Sequence, residues 1–454
     1  MDNAHAGFRS LEHASEWFGQ RRWYGDKGRQ LVAIQSPFAV EKTVGGSAVR
    51  LEVVDIEFAA GETSRYVLFR DPENVEADRI EDAEVRSWLL DGFLEGRVLT
   101  QATGELRWST TLDLAAQAGD IASSSHVFRG EQSNTSIVYA DTVMVKLFRK
   151  LQAGQSPEVE IGHHLTHNTG FKAFPRLLGS IELRSNGDIA TVAAAQQFIP
   201  SRGDAWSWLL NGLADADFAV QSSAEMGKLG RRTAELHVGL SNGTGPAFAA
   251  EKISHSQAEA LYQGVLVELN DTVARLDAHG VQDAGSLGAS LRSALDDLRL
   301  LEGTYQIRIH GDYHLGQVLR TEADDFAILD FEGEPSRPLN ERRAKASPLR
   351  DVAGMLRSFD YAAESARRRF PSDPSENFLR WRTTARQAFV EEYTSTVQGS
   401  RTLTSGIDPE RRRRLTAAFE LHKALYEVRY ELGNRPDWLD IPLDGLRRIA
   451  AAVP

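Results

Sequence analysis

HGDYHLGQ, His310–Gln317, is the stretch from which the rest of this chain is read. It follows a β-like run, QIRI (Gln306–Ile309), and precedes another, VLRT (Val318–Thr321). Thirteen residues beyond Gln317, AILDFEGEP (Ala327–Pro335) places Asp330 at the end of a third apolar strand. A carboxylate, an amide oxygen five positions on and a second carboxylate at a strand end have a definite chemical use. Asp312 can take a proton from an attacking hydroxyl, while Gln317 and Asp330 offer hard oxygen ligands to a Mg²⁺ carrying nucleotide phosphates. His314 has two readings, a partner for an acceptor hydroxyl or a residue packing the loop. Glu332 and Glu334, just after Asp330, either reach the acceptor or a second metal, or are loop charges.

The Asp-to-amide spacing parallels the catalytic loop of protein kinases, where an Asp is followed five residues later by a metal-binding Asn and then by the Asp of DFG. In this chain Gln stands for the Asn, and Phe-Glu follows Asp330 where Phe-Gly is usual. A phosphotransferase also needs donors and a cation for the triphosphate. The loop FRGEQSNTSIVY (Phe128–Tyr139) supplies hydroxyl and main-chain N–H groups at Ser133, Asn134, Thr135 and Ser136, and VMVKLF puts Lys146 in the next strand. Neither a GxGxxG nor a Walker A pattern is present, so this loop alone does not specify a nucleotide. A buried ammonium needs a counter-charge, and Glu158 or Glu160 in SPEVEIGHHL can provide it. Either glutamate can instead be a helix-start carboxylate favoured by the dipole.

Around this constellation the chain divides by pattern. Of 454 residues, 41% are hydrophobic and 26% charged, an ordinary globular balance. The net charge of −12 argues against a polyphosphate backbone as partner. The absence of cysteine removes disulfides, thiolate metal sites and Cys nucleophiles together. No run is long and apolar enough to span a bilayer, and the start MDNAHAGFRSLEHASEWF is too polar for a signal peptide, so a cytoplasmic protein is expected. Strand-like text runs from Leu31 to Arg70. SIVYAD and TVMVKLF read as a hairpin turning at Ala140–Asp141–Thr142, and helical periodicity dominates after Ala205. Strand-rich first and helix-rich later predicts an α+β protein with a cleft between its parts.

The succession RRWYGDKGR, EQSNTS, VKLFR, SPEVEI, HGDYHLGQVL, DFEGEP, PLRDVAGMLRSFDYAA and YEVRYELGNRPDWLDIPL resembles the maltokinase-like sugar kinases of actinobacteria, from Trp17 to about Leu446. Within that group the chain is most similar to the glucosamine kinases. The resemblance implies the aminoglycoside-phosphotransferase, protein-kinase-like bilobal fold, with an N-terminal cap domain (1–95), a β-rich nucleotide-binding lobe (96–200) and a helical lobe (201–454). It also implies ATP as co-substrate and Mg²⁺ as cofactor. By residue, it makes Asp312 the base, Gln317 and Asp330 the metal ligands, Lys146 the phosphate cation, and Gln197, Phe198 and Ile199 the adenine hinge.

The choice of sugar is sought in the C-terminal segment. Helical spacing over Arg412–Leu432 puts Leu415, Phe419, His422 and Tyr426 on one side and Glu420, Glu427 and Glu431 in a narrow stripe opposite. The next loop adds Asp437, Asp440 and Asp444 around Trp438. A protonated amine wants carboxylates beside an aromatic wall, which Tyr426 or Trp438 can supply, so an amine-bearing sugar is favoured; the resemblance to glucosamine kinases then implies glucosamine phosphorylated on its 6-hydroxyl as the leading expectation. The same glutamates also suit the solvated face of an amphipathic helix. Maltose, attacked through its anomeric hydroxyl, is the alternative acceptor and an aminoglycoside a third. A catalytically silent nucleotide- or sugar-sensing module is the rival of another class, disfavoured because base, metal ligands and lysine are all present. Arg350 and Asp351 are expected to be structural, RRRR (Arg411–Arg414) a solvated helix face, and RRWYGDKGR either a docking surface or a fold element.

Overall fold

The computed structural model describes residues 6–111, 114, 124–130, 133–185, 187–372 and 375–452. The chain forms two compact units, residues 1–166 with 175–200, and residues 167–174 with 201–454.

The first unit is built on two antiparallel sheets. In the four-stranded one, Leu31–Val44, Ser47–Phe58 and Thr63–Arg70 lie in sequence order and the short Lys150–Leu151 strand completes the edge. Val44 pairs with Ser47 across Gly45–Gly46, whose φ values of 57° and 80° are those a two-residue hairpin turn demands of both central residues. The seven-stranded sheet runs Val98–Gln101, Gly104–Thr110, Leu177–Ser185, Asp188–Gln197, Val143–Leu147, Thr135–Tyr139, Ser125–Phe128. The hairpin expected at Ala140–Asp141–Thr142 is there, with Tyr139 opposite Val143. Segments 1–95 and 96–200 share one core. Phe69, Leu89 and Phe93 pack in the same buried cluster as Leu106, Val145, Leu147 and Leu178.

A second, aromatic cluster gathers Phe8, Trp17, Phe18, Trp23, Tyr24 and Tyr66 beneath the Leu11–Gly19 helix. It decides the reading of RRWYGDKGR in favour of a fold element. Trp23 and Tyr24 are buried, and the buried Asp26 carboxylate accepts from Tyr66 Oη (2.6 Å), Lys150 Nζ (2.8 Å) and Arg29 (2.9 Å).

The second unit is mainly helical, with long helices at Ala216–Ser241, His255–Ala278, Leu349–Arg369, Ser375–Val397 and Pro409–Asn434. Asp408 caps the last of these by accepting from Arg411 N at 2.8 Å, and Pro409 at its first position forfeits no bond. A three-stranded sheet, Ser201–Asp204, Val318–Thr321 and Phe326–Ile328, carries the expected strand–loop–strand insert. The β-like QIRI run is strand only at Tyr305–Gln306. Ile307 and Arg308 are buried, and Ile307 makes an isolated bridge to Ala346. The RRRR run is the solvated face expected of it only at Arg413 and Arg414, which are exposed. Arg411 donates to the carbonyls of Leu300 and Glu302, Arg412 is buried and Arg414 pairs with Asp297, leaving Arg413 with its helix neighbour Glu410. No helix among the described residues is long and apolar enough to cross a membrane.

Candidate active site

The HGDYHLGQ loop is held from behind by one buried carboxylate. Asp351, in the first turn of Leu349–Arg369, accepts from His310 N (2.8 Å) and Gly311 N (3.0 Å), and its Oδ2 also meets His237 Nε2 at 3.1 Å. His237 is fully buried and its other nitrogen lies 2.9 Å from Tyr393 Oη. Burial alone would push Asp351 up; the hydrogen bond and charge of His237 outweigh it and hold the carboxyl below its usual range. The structural role expected of Asp351 is therefore specific: it orders the two backbone amides ahead of Asp312. Gly311 has φ 86°, a conformation that costs glycine little and other residues more. The same helix approaches so closely at Gly354 that a Cβ there would lie 2.7 Å from the Tyr313 carbonyl.

Downstream, His314 caps a short 3₁₀ turn, Leu315–Gln317, by accepting from Gly316 N at 3.1 Å. The Gln317 side-chain amide donates to Asp330 Oδ2 at 3.0 Å, so the two residues singled out as metal ligands meet across the strand pair. Leu329 N donates to Gln317 O at 2.9 Å, and His310 Nε2 meets Leu329 O at 2.7 Å. Asp330 itself has φ 62°, unusual for a non-glycine residue and of the kind that clusters at functional sites. A carboxylate and an amide oxygen are hard donors of the kind that suit Mg²⁺. That ion takes one or two protein oxygens and fills its octahedron with water and phosphate.

Asp312 opens onto a pocket lined also by Glu334, Arg337, Arg350, Phe419, His422, Lys423 and Tyr426. The last four sit at i, i+3, i+4 and i+7 on Pro409–Asn434, one continuous stripe. Lys423 Nζ lies 3.8 Å from Asp312 Oδ1 and 4.9 Å from the Tyr426 ring centre, and His314 Nε2 lies 4.0 Å from Asp312 Oδ2. Glu334 accepts from Arg337 at 2.7 Å. Its burial favours the neutral acid, but that bond and the charges of Lys423, Arg337 and Arg350 hold the carboxyl below its usual range. Tyr426 is pushed up to about 12 by burial and by Glu334 and Asp312, so it serves as a neutral donor. Burial lowers His314 and His422, more than Asp312 and Glu268 respectively raise them. The wall thus carries Asp312, Glu334 and Asp351 against Arg337, Arg350 and Lys423, in near balance.

The carboxylate stripe of the same helix has another job. Glu420 takes Arg386 at 2.8 and 3.0 Å, Glu427 takes Arg357 at 2.7 and 2.9 Å, and Glu431 binds Arg435 and Tyr361. All three glutamates are buried. They do not line the pocket: Arg357 of Leu349–Arg369 and Arg386 of Ser375–Val397 hold Glu427 and Glu420, and Tyr361 with Arg435 holds Glu431. Asp440 pairs with Arg368, and Trp438 is covered by Arg368 and Arg435 at 4.9 and 5.1 Å. Of the acceptor-site residues read from the sequence, Asp312, Glu334 and Tyr426 line the pocket and His314 flanks the base. Glu420, Glu427, Trp438 and Asp440 do not line it. The sequence reading had Phe419 and His422 on the right helix side but assigned them no role, and it missed Arg337 and Lys423. The i, i+3, i+4, i+7 stripe was the signal available for Lys423.

In the first unit, Ser136 pairs with Lys146 across adjacent strands, and both are buried. Ser133 is exposed; Thr135 Oγ1 accepts from Arg149 at 2.9 Å. Glu131 and Gln132 of the same loop lie outside the described residues. Glu158 is buried and accepts from Gln196 at 2.5 Å, whereas Glu160 is half-buried. Gln197 N and Phe198 N donate to the carbonyls of Arg176 and Thr142, and Ile199 is half-buried.

No protein-family model matches the chain. It is 26% identical over 322 residues to a glucosamine kinase of Streptacidiphilus jiangxiensis, covering 69% of this chain and 70% of that one. It is 28% identical over 329 residues to a glucosamine kinase of Mycolicibacterium smegmatis, covering 69% and 76%. Among solved structures, glucosamine kinase in complex with glucosamine, ADP and inorganic phosphate superposes with a TM-score of 0.72 at 20% identity, over 98% of this chain and all of that one. The chain therefore has the fold of glucosamine kinase.

Proposed function

We propose that the protein is an ATP- and Mg²⁺-dependent sugar kinase that phosphorylates D-glucosamine on its 6-hydroxyl. The observation that carries the phosphotransfer reading is the placement of Asp312. It sits on a loop pinned by Asp351 and opens into the pocket, and Gln317, at the end of that loop, meets Asp330 beyond the following strand pair. The similarity to two glucosamine kinases supports the choice of acceptor.

Asp312 accepts the proton of the sugar hydroxyl as it attacks the terminal phosphorus of ATP, and orients that oxygen for in-line displacement. Tyr426 and Glu334 position the ring by donating and accepting hydrogen bonds, and Phe419 gives it an apolar side. Gln317 and Asp330 would hold Mg²⁺, which when bound neutralises charge on the phosphates. Ser133, Asn134, Thr135, Ser136 and Lys146 serve the phosphates, with Glu160 beside them, and Gln197–Ile199 serves the adenine. All these belong to the first unit.

The near balance of charge in the pocket favours one second reading, a neutral acceptor such as maltose, since no carboxylate there lacks a cationic neighbour. ADP release measured with ATP and Mg²⁺ across glucosamine, N-acetylglucosamine, glucose, maltose and an aminoglycoside decides between them. Turnover of glucosamine well above glucose and the acetylated sugar supports the proposal. Turnover of maltose alone replaces the acceptor, and turnover of none removes the kinase reading.

A further inference from the structure

Among the charged groups of the pocket, Lys423 lies 3.8 Å from the proposed base and has no use in the mechanism above. Lys423 is a third exposed, so it is not the interior half of a structural ion pair, and its place on the pocket stripe points it inward. An ammonium gives nothing to an amine-bearing acceptor, because like charges repel. Its use must lie with the groups around it. These are Asp312, Glu334, Tyr426, His314 and, one helical turn away, Glu427. Glu334 already has a hydrogen-bonded cation in Arg337, and Glu427 has Arg357. Asp312 has neither.

The two oxygens of Asp312 are approached differently. Oδ2 faces His314, whose Nδ1 accepts from Gly316 N. A neutral ring in that state carries its proton on Nε2, the atom 4.0 Å from the carboxylate. Oδ1 faces Lys423 Nζ at 3.8 Å. A proton acceptor with one oxygen toward a neutral donor and the other toward a full cation is held in a single rotation.

We propose that Lys423 is a positioning residue for the base. Delivered from the C-terminal helix rather than from the catalytic loop, it orients the Asp312 carboxylate and keeps a positive charge beside it while the sugar hydroxyl is engaged. This rests on the phosphotransfer reading of Asp312. Lys423 acts through that carboxylate, without bonding to phosphorus or to the sugar.

The test is steady-state kinetics of the full chain as wild type, Lys423→Ala and Lys423→Arg, using the best acceptor of the panel above. We expect Lys423→Ala to lower kcat by about 10- to 100-fold, with KM for ATP within about twofold, the pattern of a lost transition-state interaction. Lys423→Arg restores part of kcat by returning the charge with different geometry. Added methylammonium, a cation small enough for the vacated space, raises the rate of Lys423→Ala and leaves that of wild type unchanged. A merely structural lysine shows no such rescue. An unchanged kcat in Lys423→Ala overturns the proposal, as does a loss that appears only in acceptor KM or that neither arginine nor methylammonium restores. If wild type turns over no acceptor at all, it is the phosphotransfer reading that fails instead.

Discussion

Glutamine at position 427 separates two uses of the C-terminal carboxylates. The Glu427 side chain holds Arg357 through two hydrogen bonds to Oε2, at 2.7 and 2.9 Å, with the arginine side chain 1% and the glutamate 10% exposed. Removing one member of such a pair leaves an uncompensated interior charge, at a cost of about 3–5 kcal/mol. Two features move the expectation to the lower end. Asp360 sits 2.7 Å from Arg357 on its other side, and burial pushes the Glu427 carboxyl up even with Arg357 attached. We therefore expect Glu427→Gln to lose about 3 kcal/mol. For a domain of this order that is a Tm drop of about 6–12 °C. Glu420→Gln should lose less, since Arg386 is 27% exposed and solvent replaces part of the bond. Differential scanning calorimetry gives the stability, and acceptor KM measured well below the lowered Tm gives the site. A Glu427→Gln protein with unchanged Tm and a KM for glucosamine raised tenfold or more, with glucose unaffected, would refute the structural assignment and make Glu427 an amine ligand.

Three further outcomes follow from the geometry. Gly354→Ala places a methyl 2.7 Å from the Tyr313 carbonyl and must displace the catalytic loop, so kcat should fall with nucleotide affinity retained, measured by turnover beside ADP titration. Asp330→Asn exchanges the carboxylate proposed to hold Mg²⁺ for a neutral amide, and the Mg²⁺ concentration for half-maximal rate should rise by at least an order of magnitude. Asp26 is held down to about 2 from 3.8; burial opposes this, but hydrogen bonds from Lys150, Tyr66 and Arg29 prevail. A depressed carboxylate contributes stability above its ordinary pKa and loses it as pH falls through the folded value. Wild type should thus lose stability between pH 4 and 2 more steeply than Asp26→Asn, followed by denaturant unfolding with tryptophan fluorescence. Equal slopes would remove that assignment.

The α+β organisation and the meeting of Gln317 with Asp330 near Asp312 were legible because their signals are local. Asp312, Gln317 and Asp330 sit within twenty residues, and the spacing brings the last two to 3.0 Å. Gly45–Gly46 and Ala140–Asp141 announce their hairpins in adjacent residues. The acceptor half was misread because its deciding partners are distant in sequence. Glu427 and Arg357 are 70 positions apart, Glu420 and Arg386 34. A glutamate stripe on one helix has the same pattern whether it faces water, an amine or buried arginines on two other helices. On the opposite stripe the sequence gives Tyr426 a place beside the acceptor, which it has in the pocket wall, but it gives Phe419 and His422 none, though they line the same pocket. RRRR misled at Arg411, since carbonyls at Leu300 and Glu302 leave no trace in its own text.

The Pro409–Asn434 helix has one face moored and the other open, and this bears on how acceptor preference can change. Rolling or sliding it to reshape the pocket would break the Glu427–Arg357, Glu420–Arg386 and Glu431–Tyr361 bonds together, so its backbone is a fixed rail. Positions 419, 422 and 426 are then interchangeable fittings on that rail, with Lys423 kept beside the base. New acceptors should be reached, by drift or by engineering, through swaps at these three places, while the moored glutamates stay the same and the scaffold keeps its shape.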